Sequence, residues 1–275
     1  MTVSSDTISA IAVLMRRAAK EEILPRFRHL QTGEVSSKSE PSDLVTVADT
    51  GAERVIKAGI AELLPEALFI GEEGVAADPD LLPKLKDADL AVVVDPIDGT
   101  FNFANGISAF GVMLAIVKNG ETIAGLIYDP MSDDFMVAEK GSGSWLKQSD
   151  GSSQKMTVAE PVPLDQMIGA ASVSFTSSEK RGQLLANTAK VRFAASYRCA
   201  AVEYRAFASG GLSFFTYMKL MPWDHLAGVL IGQEAGGYIA RYDGSPYRPE
   251  NLDGGLLGAT DKESWRELRE KVFTI

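Results

Sequence analysis

Apolar and polar positions alternate along this chain in two different rhythms, and each rhythm predicts a kind of element. The opening stretch, with apolar residues interrupted by Arg16 and Arg17, reads as an amphipathic helix capped near Ser5 or Asp6 and ending around Pro25 to Arg28. Residues 31–49 are polar and carry Gly33, several serines and Pro41. A connection that long is usually disordered or functional. From Thr50 to Leu64 the residues Ala52, Val55, Ile56, Ile60 and Leu63 fall on one helix face. The runs Ala67 to Ile70 and Leu90 to Val94 read as buried strands, and both stop at carboxylates. Two β-rich runs then flank Asn119-Gly120, a strong hairpin signal. Phe135 to Glu139 and Ser144 to Lys147 extend that hairpin into an antiparallel meander.

After the polar patch Gln148 to Lys155 the rhythm changes. Met167 to Val173, Glu179 to Lys190, Val191 to Ala194, Ala200 to Ser209 and Leu212 to Met218 alternate strand-like and helix-like runs. Asp224 to Ala235 reads as a helix stopped by Gly236-Gly237. Ser264 to Phe273 reads as a closing helix with Ser264 as its cap. The chain therefore divides into an α+β half, residues 1–147, with the N-terminal helices and the meander, and an α/β half, residues 148–275.

Composition narrows the function. The 275 residues are 45% hydrophobic and 23% charged, an ordinary globular balance. The net charge of −10, from 37 acidic against 27 basic residues, argues against a nucleic-acid partner, which calls for clustered Lys and Arg. One cysteine, Cys199, allows no intramolecular disulfide and suits a reducing, cytoplasmic setting. Two histidines are too few for a His-rich zinc site. The N-terminus does not read as a signal peptide, and no charge-free apolar stretch is long enough to span a membrane.

The chemistry concentrates in Val94-Asp-Pro-Ile-Asp-Gly-Thr-Phe-Asn-Phe103. Asp-Pro and Asp-Gly are ordinary turn pairs, but here the two carboxylates sit at the carboxyl end of an apolar strand, where α/β sheets bind ligands. Gly99-Thr100 can open a helix whose free N–H groups suit a phosphate. A divalent cation between Asp95 and Asp98 would relieve their repulsion. Hard oxygen donors without nearby His or Cys select magnesium or manganese, and magnesium beside phosphate implies phosphoryl transfer.

Four elements together resemble the inositol monophosphatase family: the Asp-Pro-Ile-Asp-Gly-Thr run, Gly71-Glu-Glu73 upstream, Pro222-Trp-Asp-His-Leu-Ala-Gly228 downstream, and Lys38 with the Asp43-Leu-Val-Thr-Val-Ala-Asp49 run. They follow the family's order and span nearly the whole chain. The resemblance implies a layered αβαβα sandwich of the sugar-phosphatase type. It implies a cytoplasmic, homodimeric, lithium-sensitive, magnesium-dependent phosphomonoesterase acting on a small phosphorylated metabolite such as inositol 1-phosphate, through in-line attack of a metal-bound water. Glu72, Asp95 and the Ile97 carbonyl correspond to one metal site, and Asp95, Asp98 and Asp224 to a second. Glu72 would also face a weaker third ion, with Asp49 behind it. Asp49 and Thr100 correspond to the pair that activates water, and Gly99 and Thr100 to the phosphate-binding N–H groups. Lys38 matches a loop lysine near the metals; Glu73 and Trp223 flank ligands.

Two to three ions per site are expected. Glu72, Asp95, Asp98, Asp224 and Asp49 carry about −5 when ionised, so two magnesium ions leave about −1 and a third turns the site to about +1, which a phosphate dianion can approach. The alcohol half of the substrate would meet Ala200 and Tyr217. Many family members carry a glutamate at the Tyr217 position, so histidinol phosphate, fructose 1,6-bisphosphate and 3′-phosphoadenosine 5′-phosphate stand beside inositol 1-phosphate as substrates. Arg198 and Arg205 could bind a second anionic group, or form a salt bridge to Glu203 or a subunit contact. His225 could be a ligand, a supporting residue or a substrate contact. Cys199 is read as packing against a helix. A non-catalytic regulatory relative is the alternative from outside enzymology, and a broken ligand set would mark it; here the set is intact.

Overall fold

The computed structural model describes residues 3–38, 41 and 43–275; Ser39, Glu40 and Ser42, inside the expected polar loop, lie outside them. Helix α1 spans Ser5–Ala18 and runs on as a π-helical turn, Ala19–Ile23. Its cap is Ser4, whose hydroxyl accepts from Thr7 N at 3.1 Å, one residue before the expected position. Within the polar loop, β1 (Val35–Ser37) and β2 (Leu44–Thr46) form an antiparallel pair. Helix α2, Val47–Leu63, starts three residues earlier than its apolar face predicts, because Thr46 and Asp49 build a capping box.

The remaining elements of the first half are β3 (Leu68–Gly71), α3 (Glu72–Ala77), a 3-10 segment (Pro79–Asp87), β4 (Leu90–Asp98), the short α4 (Thr100–Ala104), β5 (Gly111–Lys118), β6 (Glu121–Asp129), β7 (Asp134–Glu139), β8 (Ser144–Lys147) and β9 (Ser153–Met156). They make a seven-stranded sheet in the order β3-β4-β5-β6-β7-β8-β9, parallel at β3/β4 and antiparallel elsewhere. The sheet runs past residue 147 to Met156: residues 148–155, read as a polar connection, include most of β9, whose exposed Ser153-Gln-Lys155 gives no apolar signal. Strand β4 is apolar on both faces because both are covered. Val92 and Val94 pack with α1 and α2, while Ala91 and Val93 face the opposite core.

The second half contributes β10 (Ile168–Ser172), α5 (Ser178–Asn187), β11 (Phe193–Ala195), α6 (Ala200–Ala208), β12 (Phe214–Tyr217), α7 (Pro222–Glu234), β13 (Tyr238–Arg241), β14 (Leu256–Ala259) and α8 (Lys262–Lys271). Its five-stranded sheet runs β11-β10-β12-β14-β13, with β10 parallel to both neighbours and the β14 pairings antiparallel. The cap of α8 is Asp261, which accepts from Ser264 N at 2.7 Å, so Ser264 lies inside the first turn rather than before it.

Three apolar cores join five layers, the central one serving both faces of the middle helical layer. Ile11, Met15, Ile56 and Ile60 fill the space between α1, α2 and the large sheet. Met113, Ile127, Tyr204, Phe207, Leu226 and Phe215 fill the central core, where α6 and α7 lie between the two sheets. Phe214, Leu257, Trp265 and Leu268 close the outer face of the small sheet under α8. The expected αβαβα sandwich is the observed one. Its middle helical layer brings the start of α7 close to the carboxyl end of β4. Among the described residues no helix is long and apolar enough to cross a membrane.

Candidate active site

Strand β4 ends in a turn that its own side chains lock. Asp95 Oδ1 accepts from Ile97 N at 3.0 Å, and Thr100 Oγ1 lies 2.9 Å from the Ile97 carbonyl, which shares the single hydroxyl proton with Asp49. Gly99 sits at φ +89°, and a Cβ there would lie 2.8 Å from the Ala109 carbonyl, so only glycine fits. The turn delivers Asp95 and Asp98 to one side, and α4 starts immediately after it with N–H groups unused by the helix.

Helix α7 brings Asp224 to the same point. One carboxylate oxygen from each of Asp95, Asp98 and Asp224 can be chosen so that all three lie within 4.8 Å of one another. Asp98 is also held by the second half of the chain: its Oδ2 accepts from Ala201 N, in the first turn of α6, and from Cys199 Sγ at 3.2 Å. The cysteine therefore touches a site carboxylate rather than only packing. Burial drives the electrostatics. Desolvation, with repulsion from neighbouring carboxylates, raises Asp95 and Asp224 well above the usual range. Desolvation lifts Asp98 to about 6 in spite of the α6 hydrogen bonds. Crowded, desolvated carboxylates offering only oxygen donors fit a hard divalent cation.

Glu72 lines the same cavity but does not join that trio. At the start of α3 its Oε1 accepts from Lys38 Nζ at 2.8 Å, and Glu73 Oε1 accepts from the same ammonium at 2.6 Å. Lys38 is held protonated against its burial by those two partners, while burial lifts Glu73 to about 7. Asp49 lies fully buried behind the cavity. Its Oδ2 accepts from Thr46 N at 2.8 Å, and its Oδ1 accepts from Thr100 Oγ1 at 3.0 Å. Desolvation raises Asp49 to about 6.

The cavity, of about 310 Å³, continues from these carboxylates over Gly99, Thr100 and Ala200 to Glu203, Tyr217 and Lys219. Arg198 stands at its wall with its guanidinium 3.7 Å from the centre of the Phe101 ring; Phe101 is thus the platform for that cation. Arg205 pairs with Asp134 and Asp129, not with the expected Glu203. His225 has both ring nitrogens engaged, Nδ1 with the Tyr204 hydroxyl at 3.1 Å and Nε2 with the Lys219 carbonyl at 2.9 Å. Burial lowers it to about 4, so it is a neutral core histidine. Trp223 is buried in the central core.

Two residues escaped the sequence reading. Glu53, one turn after Asp49 on α2, accepts from Glu73 N and Gly74 N, both at 2.8 Å, and so fixes the start of α3. A side chain at Gly71 would collide with that carboxyl, which explains the glycine before the paired glutamates. The second is Glu203, buried in α6. The four-residue step from Asp49 to Glu53 is a helix-face signal that could have flagged the first; nothing local flags the second.

A model described as the inositol monophosphatase family matches residues 4–273. The chain is 33% identical over 213 residues, 78% of each sequence, to an inositol-1-monophosphatase of Bacillus subtilis. It is 31% identical over 217 residues, 76% of each, to a fructose-1,6-bisphosphatase/inositol-1-monophosphatase of Thermotoga maritima. Among solved structures, the extragenic suppressor protein suhB from Bartonella henselae superposes with a TM-score of 0.82 at 25% identity, covering 98% of this chain and 99% of that one.

Proposed function

The chain belongs to the inositol monophosphatase family and is a phosphatase, and we propose that its substrate is the phosphate monoester of a small sugar alcohol, of which inositol 1-phosphate is the type. The observation that carries this reading is the convergence of Asp95, Asp98 and Asp224. These carboxylates come from both halves of the chain, and when ionised they repel one another unless they share a cation. Asp95, Asp98 and Asp224, with Glu72 once it leaves Lys38 and with the Ile97 carbonyl, would hold two to three magnesium ions, or manganese in their place. When bound, such ions neutralise the phosphate and acidify the attacking water.

The chain's own groups supply the rest. Thr100 Oγ1, hydrogen-bonded to Asp49, can take the proton of the attacking water while passing its own to Asp49. A hydroxyl alone is too weak a base for this, and a buried carboxyl with a pKa near 6 is deprotonated at neutral pH and able to accept. The N–H groups of Gly99 and Thr100, at the start of α4, would face the phosphate oxygens. Ala200 and Tyr217 border the space left for the alcohol.

Phosphate release from inositol 1-phosphate, with and without magnesium, tests the assignment. We expect activity that depends on magnesium and is lost in Asp95→Asn. Release without any divalent ion would sink the metal assignment, and an inert wild-type protein would sink the substrate class.

A second reading, a substrate with two phosphates, is favoured by Arg198. It borders the cavity, rests on Phe101 and makes no ion pair among the described residues. Fructose 1,6-bisphosphate and 3′-phosphoadenosine 5′-phosphate belong in the same assay, with histidinol phosphate as an amine-bearing ester.

A further inference from the structure

The far wall of the cavity holds two polar atoms without partners. Glu203 is only 1% exposed. Its Oε1 is occupied, accepting from Tyr197 N at 2.8 Å and from Ser196 Oγ at 3.2 Å. Those bonds hold the turn that leads into Arg198, whose φ of 55° is left-handed. Its Oε2 has no hydrogen bond. Tyr217, on β12 and 5% exposed, has an unpartnered hydroxyl as well. The phenol and the Glu203 carboxyl lie close enough to shift each other's titration, but neither Glu203 Oε2 nor the Tyr217 hydroxyl completes a hydrogen bond. Both residues border the cavity that also holds Asp98 and Asp224.

A buried carboxylate oxygen without a donor is costly, because nothing replaces the water it has lost. Two such atoms on one wall of an open cavity are more economically explained by a ligand than by a packing fault. The carboxylate reaches this wall from α6 and the phenol from β12.

We propose that Glu203 Oε2 and the Tyr217 hydroxyl are the specificity anchors for a hydrogen-bond donor on the alcohol half of the substrate, either a hydroxyl of a polyol or the ammonium of an amino alcohol. The proposal rests on the phosphatase reading of the site. A carboxylate accepts from either donor, and the phenol can accept as well. An ester whose alcohol carries no donor leaves both atoms as they are in the free protein.

The test compares three esters: inositol 1-phosphate, histidinol phosphate and p-nitrophenyl phosphate, the last without a donor. The measured quantity is kcat/KM for each donor-bearing ester divided by kcat/KM for p-nitrophenyl phosphate. Glu203→Gln keeps an acceptor for Tyr197 N, and Tyr217→Phe removes one atom. Each is expected to lower the ratio about tenfold for the donor-bearing ester the site selects, mainly through KM. Loss on inositol 1-phosphate identifies the hydroxyl, and loss on histidinol phosphate the ammonium. Equal losses on all three esters, as a purely structural Glu203 would give, overturn the proposal, and so does an unchanged ratio. Should the wild type hydrolyse none of them, the phosphatase reading fails separately. The anchor is then judged by thermal stabilisation with free myo-inositol or histidinol, which both substitutions must abolish.

Discussion

Thr100 Oγ1 donates to Asp49 Oδ1 at 3.0 Å, and this one contact joins the first turn of α4 to the first turn of α2. Asp49 serves two purposes there: its other oxygen closes the α2 capping box on Thr46. Thr100→Val removes the hydroxyl and keeps the shape. It should lower kcat by about two to four orders of magnitude with a smaller change in KM, while Thr100→Ser restores most of the rate. Asp49→Asn should match the loss in rate and also cost about 1 kcal/mol of stability, because it weakens the cap. Steady-state phosphate release and urea unfolding separate the two effects.

Lys38 and Glu72 form an ion pair. The lysine ammonium pairs with Glu72 and Glu73 at 2.8 and 2.6 Å, so any cation approaching Glu72 must displace it. In Lys38→Gln the half-activating magnesium concentration should fall several-fold. The metal-free protein should lose about 1–3 kcal/mol, since two partly buried carboxylates are left facing each other. Magnesium titration by calorimetry checks the first part. Weaker magnesium binding in the variant would show that the lysine assists the ions rather than competing with them.

What could be read from the sequence follows from what is local. The two Asp residues at the end of β4 announce themselves because an apolar run stops on them. Glu72 is similarly marked by β3 and Asp224 by the Pro-Trp-Asp start of α7. The layered fold is legible through the family resemblance, and the helix/strand rhythm agrees with it. The polar strand β9 was hidden because it lies at the sheet edge, exposed on Ser153, Gln154 and Lys155. The local pattern marks Glu53 only by its four-residue step from Asp49, and Glu203 only as a salt-bridge partner for a nearby arginine. Their partners, Gly74 and the turn at Tyr197, are supplied by tertiary packing, which no local periodicity encodes.

Arg205 separates structure from specificity. Its guanidinium meets Asp134 and lies 3.8 Å from Asp129, linking α6 to the β6–β7 connection. Arg205→Met should cost about 1–3 kcal/mol in urea unfolding, because it leaves the carboxylates without their cation. KM for mono- and bisphosphate esters should stay within twofold of wild type. A selective rise for the bisphosphate would give Arg205 the anion-binding role that its ion pairs argue against.

The buried carboxylates make stability depend on pH in an unusual direction. Burial raises Asp49 and Asp98 to about 6 from an ordinary 3.8, and Glu73 and Glu203 to about 7 from 4.5. The folded chain therefore binds these protons more tightly than the unfolded chain. Their contribution is complete below about pH 4 and is lost as pH rises through 6 to 7. His225 works the other way, since its folded value of about 4 lies below 6.5 and its contribution is lost as pH falls. One histidine opposes four carboxyl groups, with Asp95 and Asp224 raised further still, so the metal-free protein should melt at lower temperature near pH 7 than near pH 5. Magnesium competes with protons for the same oxygens, and its stabilising effect should therefore grow over that interval. Thermal unfolding in saturating magnesium and in EDTA, repeated across the range, measures both trends. A magnesium shift that is the same at both ends would mean that the ion binds somewhere other than the carboxylates gathered around Asp95.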